Sequence, residues 1–206
     1  MLVSSAIIQD IEVLQKDGRA SLAFFYFDSM EVDKKDRRGL LSSLLVQLCH
    51  QSDSYRNILS SFYETHSNGG QHPSNDALIG CLKELLSVQG HGLVFLILDG
   101  LDECSNSSNT GLPSPREEVL ILLKELVNSK TPHLYICVTS QPETDIQRVF
   151  APLASHSISL HDESGHKNDI DNYIKFFVYM DSKMLSWSEE DKEWVINTVS
   201  EQADGR

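Results

Sequence analysis

The chain has 206 residues, 40% of them apolar, and its 17 Lys+Arg against 30 Asp+Glu leave a formal net charge of −13. That is enough apolar material for one well-buried domain, and the acidic balance argues against a nucleic-acid or anionic-membrane surface, which would need clustered Lys and Arg. No apolar run approaches the roughly 18 residues that span a bilayer, and acids already at Asp10 and Glu12 argue against a signal peptide, so the expectation is a soluble, cytoplasmic chain.

Val3, Ile7, Ile11 and Leu14 recur every three to four positions, so the chain opens in an amphipathic helix that stops near Gly18. A short strand over residues 22–27 follows and ends at Asp28. Leu40, Leu41, Leu44, Leu45 and Leu48 mark a second helix, and Tyr55, Ile58, Leu59 and Phe62 a third. Residues 66–75 read as a loop, and Ser74 or Asn75 can cap a helix whose apolar face is Leu78, Ile79, Leu82, Leu85 and Leu86. After Gly90 and Gly92 comes the run 93–98, LVFLIL, continuous rather than alternating, as expected of a strand covered on both faces. A polar connection over 104–115 leads to a helix carrying Val119, Leu120, Leu123, Leu126 and Val127. Pro132 separates that helix from a strand over 133–139. A weaker strand is expected over 156–160, a helix around Ile170, Tyr173, Ile174 and Phe177, and a last helix with Trp194, Val195 and Val199, capped by Ser188 with Asp191 three positions on.

Strands separated by helices predict an α/β fold, a mostly parallel sheet with helices on both faces and its ligand site beyond the carboxyl ends of the strands. Three strands bring polar groups to that edge: Asp28, then Asp99 with its neighbours, then Thr139, Ser140 and Gln141. Cys49, Cys81, Cys104 and Cys137 form no C-x-x-C pair, which favours buried reduced thiols over a zinc site. His161 and His166 flank an acidic loop without the i, i+4 spacing of a helical metal pair.

The informative stretch is the strand that ends in Asp99-Gly100-Leu101-Asp102-Glu103. Magnesium takes oxygen ligands and keeps several waters, so one carboxylate on a rigid strand end can hold it. Asp99 is that carboxylate. Gly100 lets the backbone turn with no Cβ in the way, and Asp102 and Glu103 project toward the same volume, where either can orient or deprotonate a water. A haloacid-dehalogenase signature needs acids two apart, whereas Asp99 and Asp102 are three apart, and the G-x-S-x-G of a serine hydrolase is absent.

LVFLILDGLDEC resembles the Walker B segment of NACHT-type signalling NTPases, in the STAND class of P-loop NTPases. The chain as a whole is similar to the NACHT, or nephrocystin-3-like N-terminal, domain of fungal NOD-like-receptor-type proteins. FFYFD resembles that domain's second strand, DKKDRRGLLSSLLVQLC the helix after it, and VTSQPETDI its fourth strand and sensor segment. SLHDESGHKNDIDNYIKFFV resembles its fifth strand and following helix, and WSEEDKEWVINTVSEQADG the start of a helical subdomain. The resemblance implies a P-loop-type core over residues 1–180 and the beginning of a helical subdomain over 181–206. It implies ATP or GTP with Mg²⁺, held by Asp99, with Asp102 and Glu103 positioning the hydrolytic water and Thr139, Ser140 and Gln141 sensing the γ-phosphate. It further implies a switch that associates with other protein chains to signal, in innate immunity or programmed cell death.

Two departures qualify that picture. G-x-x-x-x-G-K-[ST] occurs nowhere, and no Gly precedes a Lys, so the amide cradle and lysine that grip a triphosphate are lacking. Ser4 and Ser5 are hydroxyls near the right place but cannot substitute for that loop. The chain is therefore expected to begin just after the Walker A loop and to lack the strand that leads into it. In the family that strand lies between those matched by 133–139 and 156–160. The last strand then faces a gap near 10 Å, against the usual spacing of about 4.8 Å. It should leave a slot, shift or fray, or receive a strand from another chain. The second departure is Gln141, where relatives usually carry Arg; Gln brings no positive charge to a γ-phosphate. Together these predict a partial domain without autonomous NTP hydrolysis that acts through contacts with other chains, the alternative being a working switch within a longer protein.

Overall fold

Among the described residues three parallel strands form one sheet: β1 (Ala20–Tyr26), β2 (Leu93–Asp99) and β3 (Leu134–Val138), in the order β1-β2-β3. The computed structural model describes all residues except 1, 32–33, 35, 89, 91, 109–110, 160–163, 182–183, 185 and 203–206, with side chains described for all of these but 2–3, 164–171 and 201–202. The register runs from Ala20↔Leu93 to Tyr26↔Asp99 and from Val94↔Leu134 to Leu98↔Val138. The helices are α1 (Leu2–Lys16), α2 (Arg37–Cys49), α3 (Asp53–Thr65), α4 (Asn75–Leu86), α5 (Pro115–Asn128), α6 (Thr144–Phe150), α7 (Ser164–Met180) and α8 (Glu189–Gln202). The α/β class expected from the sequence is what the chain adopts.

The period of two along each strand sorts the core into two layers. Ala23, Phe25, Val94, Leu96 and Leu98 join α2, α4 and α5 in the larger cluster, where Leu40, Leu44, Leu82, Leu85, Leu122 and Leu123 are buried. Leu22 and Ile97 face the other way, onto Ile8 and Ile11 of α1. β2 is thus apolar on both faces because both faces are covered, which is why its run does not alternate.

Local signals set the helix starts. Asp36, Ser52, Ser74 and Ser114 each accept a hydrogen bond from a backbone N–H in the first turn of α2, α3, α4 and α5. Ser114 and Glu117 complete a capping box, with Pro115 at the first helical position. Gly92 lies beside the start of the sheet, where a Cβ would come within 1.9 Å of the Arg19 carbonyl oxygen. Only glycine fits there.

One expectation needs correction. Residues 156–159 form no strand, and Ile158 is exposed; Leu160 lies outside the described residues. A strand without a neighbour gains no ladder hydrogen bonds, so its propensity alone does not hold it extended. The structure also adds α6, in a stretch to which the apolar period assigns no element. Its seven residues offer a single apolar turn around Ile146, Val149 and Phe150, too short for a periodicity argument.

The chain divides into two compact units, Met1–Leu153 and Ala154–Arg206. The second contains α7 and α8, which pack through Ile174, Val178 and Ile196. Ser188 caps α8 as its spacing predicts, accepting from the Asp191 N–H at 3.1 Å and donating to the Asp191 carboxylate at 2.7 Å. No helix among the described residues is long and apolar enough to cross a membrane.

Candidate functional site

The carboxyl ends of the strands carry the acidic turn. Asp99 closes β2 and is 7% exposed. Its Oδ1 accepts hydrogen bonds from the Ser4 hydroxyl of α1 and, at 2.5 Å, from the Thr139 hydroxyl just beyond β3. The same Thr139 Oγ1 accepts from the Gly100 N–H at 3.1 Å. Backbone bonds complete the seam: Phe27 N–H to Asp99 O (2.9 Å), Thr139 N–H to Leu98 O (2.9 Å) and Leu101 N–H to Thr139 O (3.0 Å).

Gly100 adopts φ 70° and ψ 42°, a left-handed conformation that L side chains strain to reach. A Cβ here would meet only ordinary contacts at 3.7 Å, so the backbone angle, not crowding, calls for glycine. The turn leads into a short 3-10 segment, Leu101–Glu103, in which Leu101 is fully buried. That burial orients Asp102 and Glu103. Asp102 Oδ1 accepts from the Gln141 N–H at 2.9 Å, and Glu103 Oε2 from the Ser29 hydroxyl at 2.8 Å.

Arg116, at the start of α5, holds the turn from beneath and is itself only 7% exposed. Its Nη2 donates to Asp102 O at 2.6 Å and its Nε to Cys104 O at 2.9 Å. Its Nη1 lies 3.4 Å from both carboxylate oxygens of Asp145 on α6. Burial pushes the Cys104 thiol up to about 11 although the Arg116 charge opposes it, and burial followed by the Asp99 charge raises Cys137. Neither thiol supplies a thiolate nucleophile near neutral pH.

The predicted site residues therefore meet at one edge in unequal ways. Asp99 and Thr139 touch directly, and Asp102 reaches Gln141 through the latter's backbone. Glu103 turns to the β1 side, while Ser140 and the Gln141 side chain are exposed. Asp28 caps its own loop, accepting from the Met30 N–H at 2.8 Å. Ser4, Ser29 and Arg116 were not expected to hold the acids. Ser4 shares a helical stripe with Ile8 and Ile11, and Arg116 one with Val119, Leu120 and Leu123. A polar residue on a buried stripe signals a partner elsewhere.

One carboxylate on a strand end fits a water-held magnesium ion. A triphosphate fits less well. Among the described residues no three His, Cys, Asp or Glu side chains are grouped to hold a metal ion, and the guanidinium at the turn is buried against carbonyls. Two open hollows lie at the opposite, amino end of the strands: one of about 320 Å³ beside Gln15, Ser21 and Gln51, the other of about 450 Å³ beside Leu14, Arg19 and His133. Neither is lined by a residue of the acidic turn.

Residues 1–141 match the family model described as Nephrocystin 3, N-terminal. No curated protein and no solved structure matches the chain. The matched span contains all three strands and every residue of the tied edge except Asp145.

Proposed function

The chain belongs to the nephrocystin 3 N-terminal family, and from that premise we propose that it is an interaction or regulatory module on a nucleotide-switch scaffold, without autonomous NTP hydrolysis. The observation that carries this reading is the state of Asp99, whose Oδ1 takes hydrogen bonds from both Ser4 and Thr139. The carboxylate ties three elements together before any ligand is considered. Asp102 and Glu103 are likewise engaged, with the Gln141 N–H and the Ser29 hydroxyl.

The likeness of LVFLILDGLDEC to a NACHT-type Walker B segment supports descent from an ATP- or GTP-dependent signalling switch of the NOD-like-receptor kind. In such a site Mg²⁺ with a nucleotide neutralises charge on the phosphates when bound, and Asp99 would hold the ion through water. An ion sharing Oδ1 would compete with these two hydroxyl donors. The 206 residues offer no Gly-Lys pair to grip a triphosphate, and Gln141 brings no charge. What remains is surface for other protein chains, including members of the same family.

The test is a titration with a fluorescent ATP or GTP analogue in the presence of Mg²⁺. The expected outcome is no saturable binding and no phosphate release. Submicromolar binding that disappears in Asp99→Ala would replace this reading with that of a working switch.

A further inference from the structure

The β1 edge of the sheet has no neighbouring strand among the described residues, yet its backbone is hydrogen-bonded. Leu93 N–H donates to Arg19 O and Phe27 N–H to Asp99 O, so the odd-numbered residues of β1 turn their backbone groups toward β2. The even-numbered ones point outward, where an edge strand presents a row of donors and acceptors. At two successive outward positions those groups meet side-chain amides. Phe24 N–H donates to Gln47 Oε1 at 3.0 Å, and Gln47 Nε2 donates back to Phe24 O at 2.7 Å. Leu22 N–H donates to Gln51 Oε1 at 2.9 Å, and Gln51 Nε2 donates back to Leu22 O at 2.5 Å.

We infer that Gln47 and Gln51 act as a surrogate strand that closes the β1 edge against pairing with a second copy of this chain. Each primary amide presents one donor and one acceptor side by side, as a peptide group in a neighbouring strand does. The spacing matches as well. Gln47 lies in the last turns of α2 and Gln51 in the turn just after it, and a four-residue helical rise of about 6.0 Å is close to the roughly 6.6 Å repeat of two residues along a strand. The amides are themselves braced. Gln47 Nε2 also donates to Ser43 Oγ, and Gln51 Nε2 to Gln47 O, both at 2.9 Å.

The need for a closed edge is written in β1 itself. ASLAFFY carries no charge and no proline, the composition that adds readily to a like strand when its edge is bare. Self-pairing is the relevant hazard because a second copy presents the same edge, and two such edges can join antiparallel about a two-fold axis.

Two measurements test the proposal. In the unaltered chain the Leu22 and Phe24 amides should exchange with solvent as slowly as those of Ala23 and Phe25, which face β2; free-edge exchange at Leu22 and Phe24 overturns it. In Gln47→Met with Gln51→Met, which keeps side-chain length and, at position 47 in α2, helix propensity, those two amides should exchange at least about tenfold faster. The variant should also associate in a concentration-dependent way by sedimentation. A variant that folds and stays as monomeric as the parent overturns the proposal. Should the double variant not fold, exchange in the unaltered chain, together with sedimentation of Gln47→Met alone, decides it by the same criteria.

Discussion

Asp99 is a carboxylate among apolar neighbours, and its position follows from its partners. A buried anion needs hydrogen-bond donors to replace water, and Ser4 and Thr139 provide two. Asp99→Ala should therefore lower unfolding stability in metal-free buffer by about 2–4 kcal/mol, measured by urea denaturation. A carboxylate present only to bind metal would leave stability unchanged, or improve it, on removal. Arg116 makes the same argument with the opposite charge. Arg116→Ala leaves the Asp102 and Cys104 carbonyls without the guanidinium and should cost about 3 kcal/mol. Arg116→Lys should recover only part of that, because one ammonium cannot reproduce a planar fork with three sets of acceptors. The acids of the turn were legible in the sequence by type and spacing. Their donors were not, because Ser4 lies 95 positions from Asp99 and Thr139 lies 40.

The two glycines Gly92 and Gly80 make opposite demands on the elements they border. Gly92→Ala would drive a Cβ into the Arg19 carbonyl oxygen, which already accepts the Leu93 N–H at 3.0 Å, so the start of the β1–β2 ladder must open. The expected loss is at least about 2 kcal/mol by thermal or urea unfolding. Gly80, inside α4, has nothing within 4 Å of an added Cβ. Gly80→Ala should stabilise by up to about 1 kcal/mol through helix propensity. The long elements were legible because burial imposes a period: Leu40, Leu41, Leu44, Leu45 and Leu48 can only be one face of a helix. Gln47 and Gln51 lie outside that stripe, and only the folded β1 edge gives their amides backbone partners. Residues 156–159 show the converse, since strand propensity without a neighbouring strand makes no strand.

At the scale of the whole molecule, the two units hold cores of very different size. Met1–Leu153 contains the sheet and its covering helices, whereas α7 and α8 share Ile174, Val178 and Ile196. Urea should unfold the chain in two steps, with helical signal from 154–206 lost first; a single coincident transition by circular dichroism and by an amide probe in β2 would contradict this. The buried thiols set an alkaline limit. Cys81 and Cys104 are pushed up to about 11 by burial, while an unfolded thiol titrates near 8.5. A raised folded value means that the stabilisation is fully present below about pH 8.5 and is lost as pH climbs toward 11. Unfolding stability should therefore fall over that window, and Cys81→Ala with Cys104→Ala should flatten the fall even though the cavities lower the overall level.

By itself the sequence determined the order of the principal helices and strands, the parallel α/β class and the acids at the end of β2, because apolar period, capping residues and strand-end chemistry are local. The tertiary structure alone decided which groups those acids hydrogen-bond and which side chains meet the β1 edge. Hydroxyls, amides and a guanidinium find their partners across folded distance, and chain spacing carries no record of that distance.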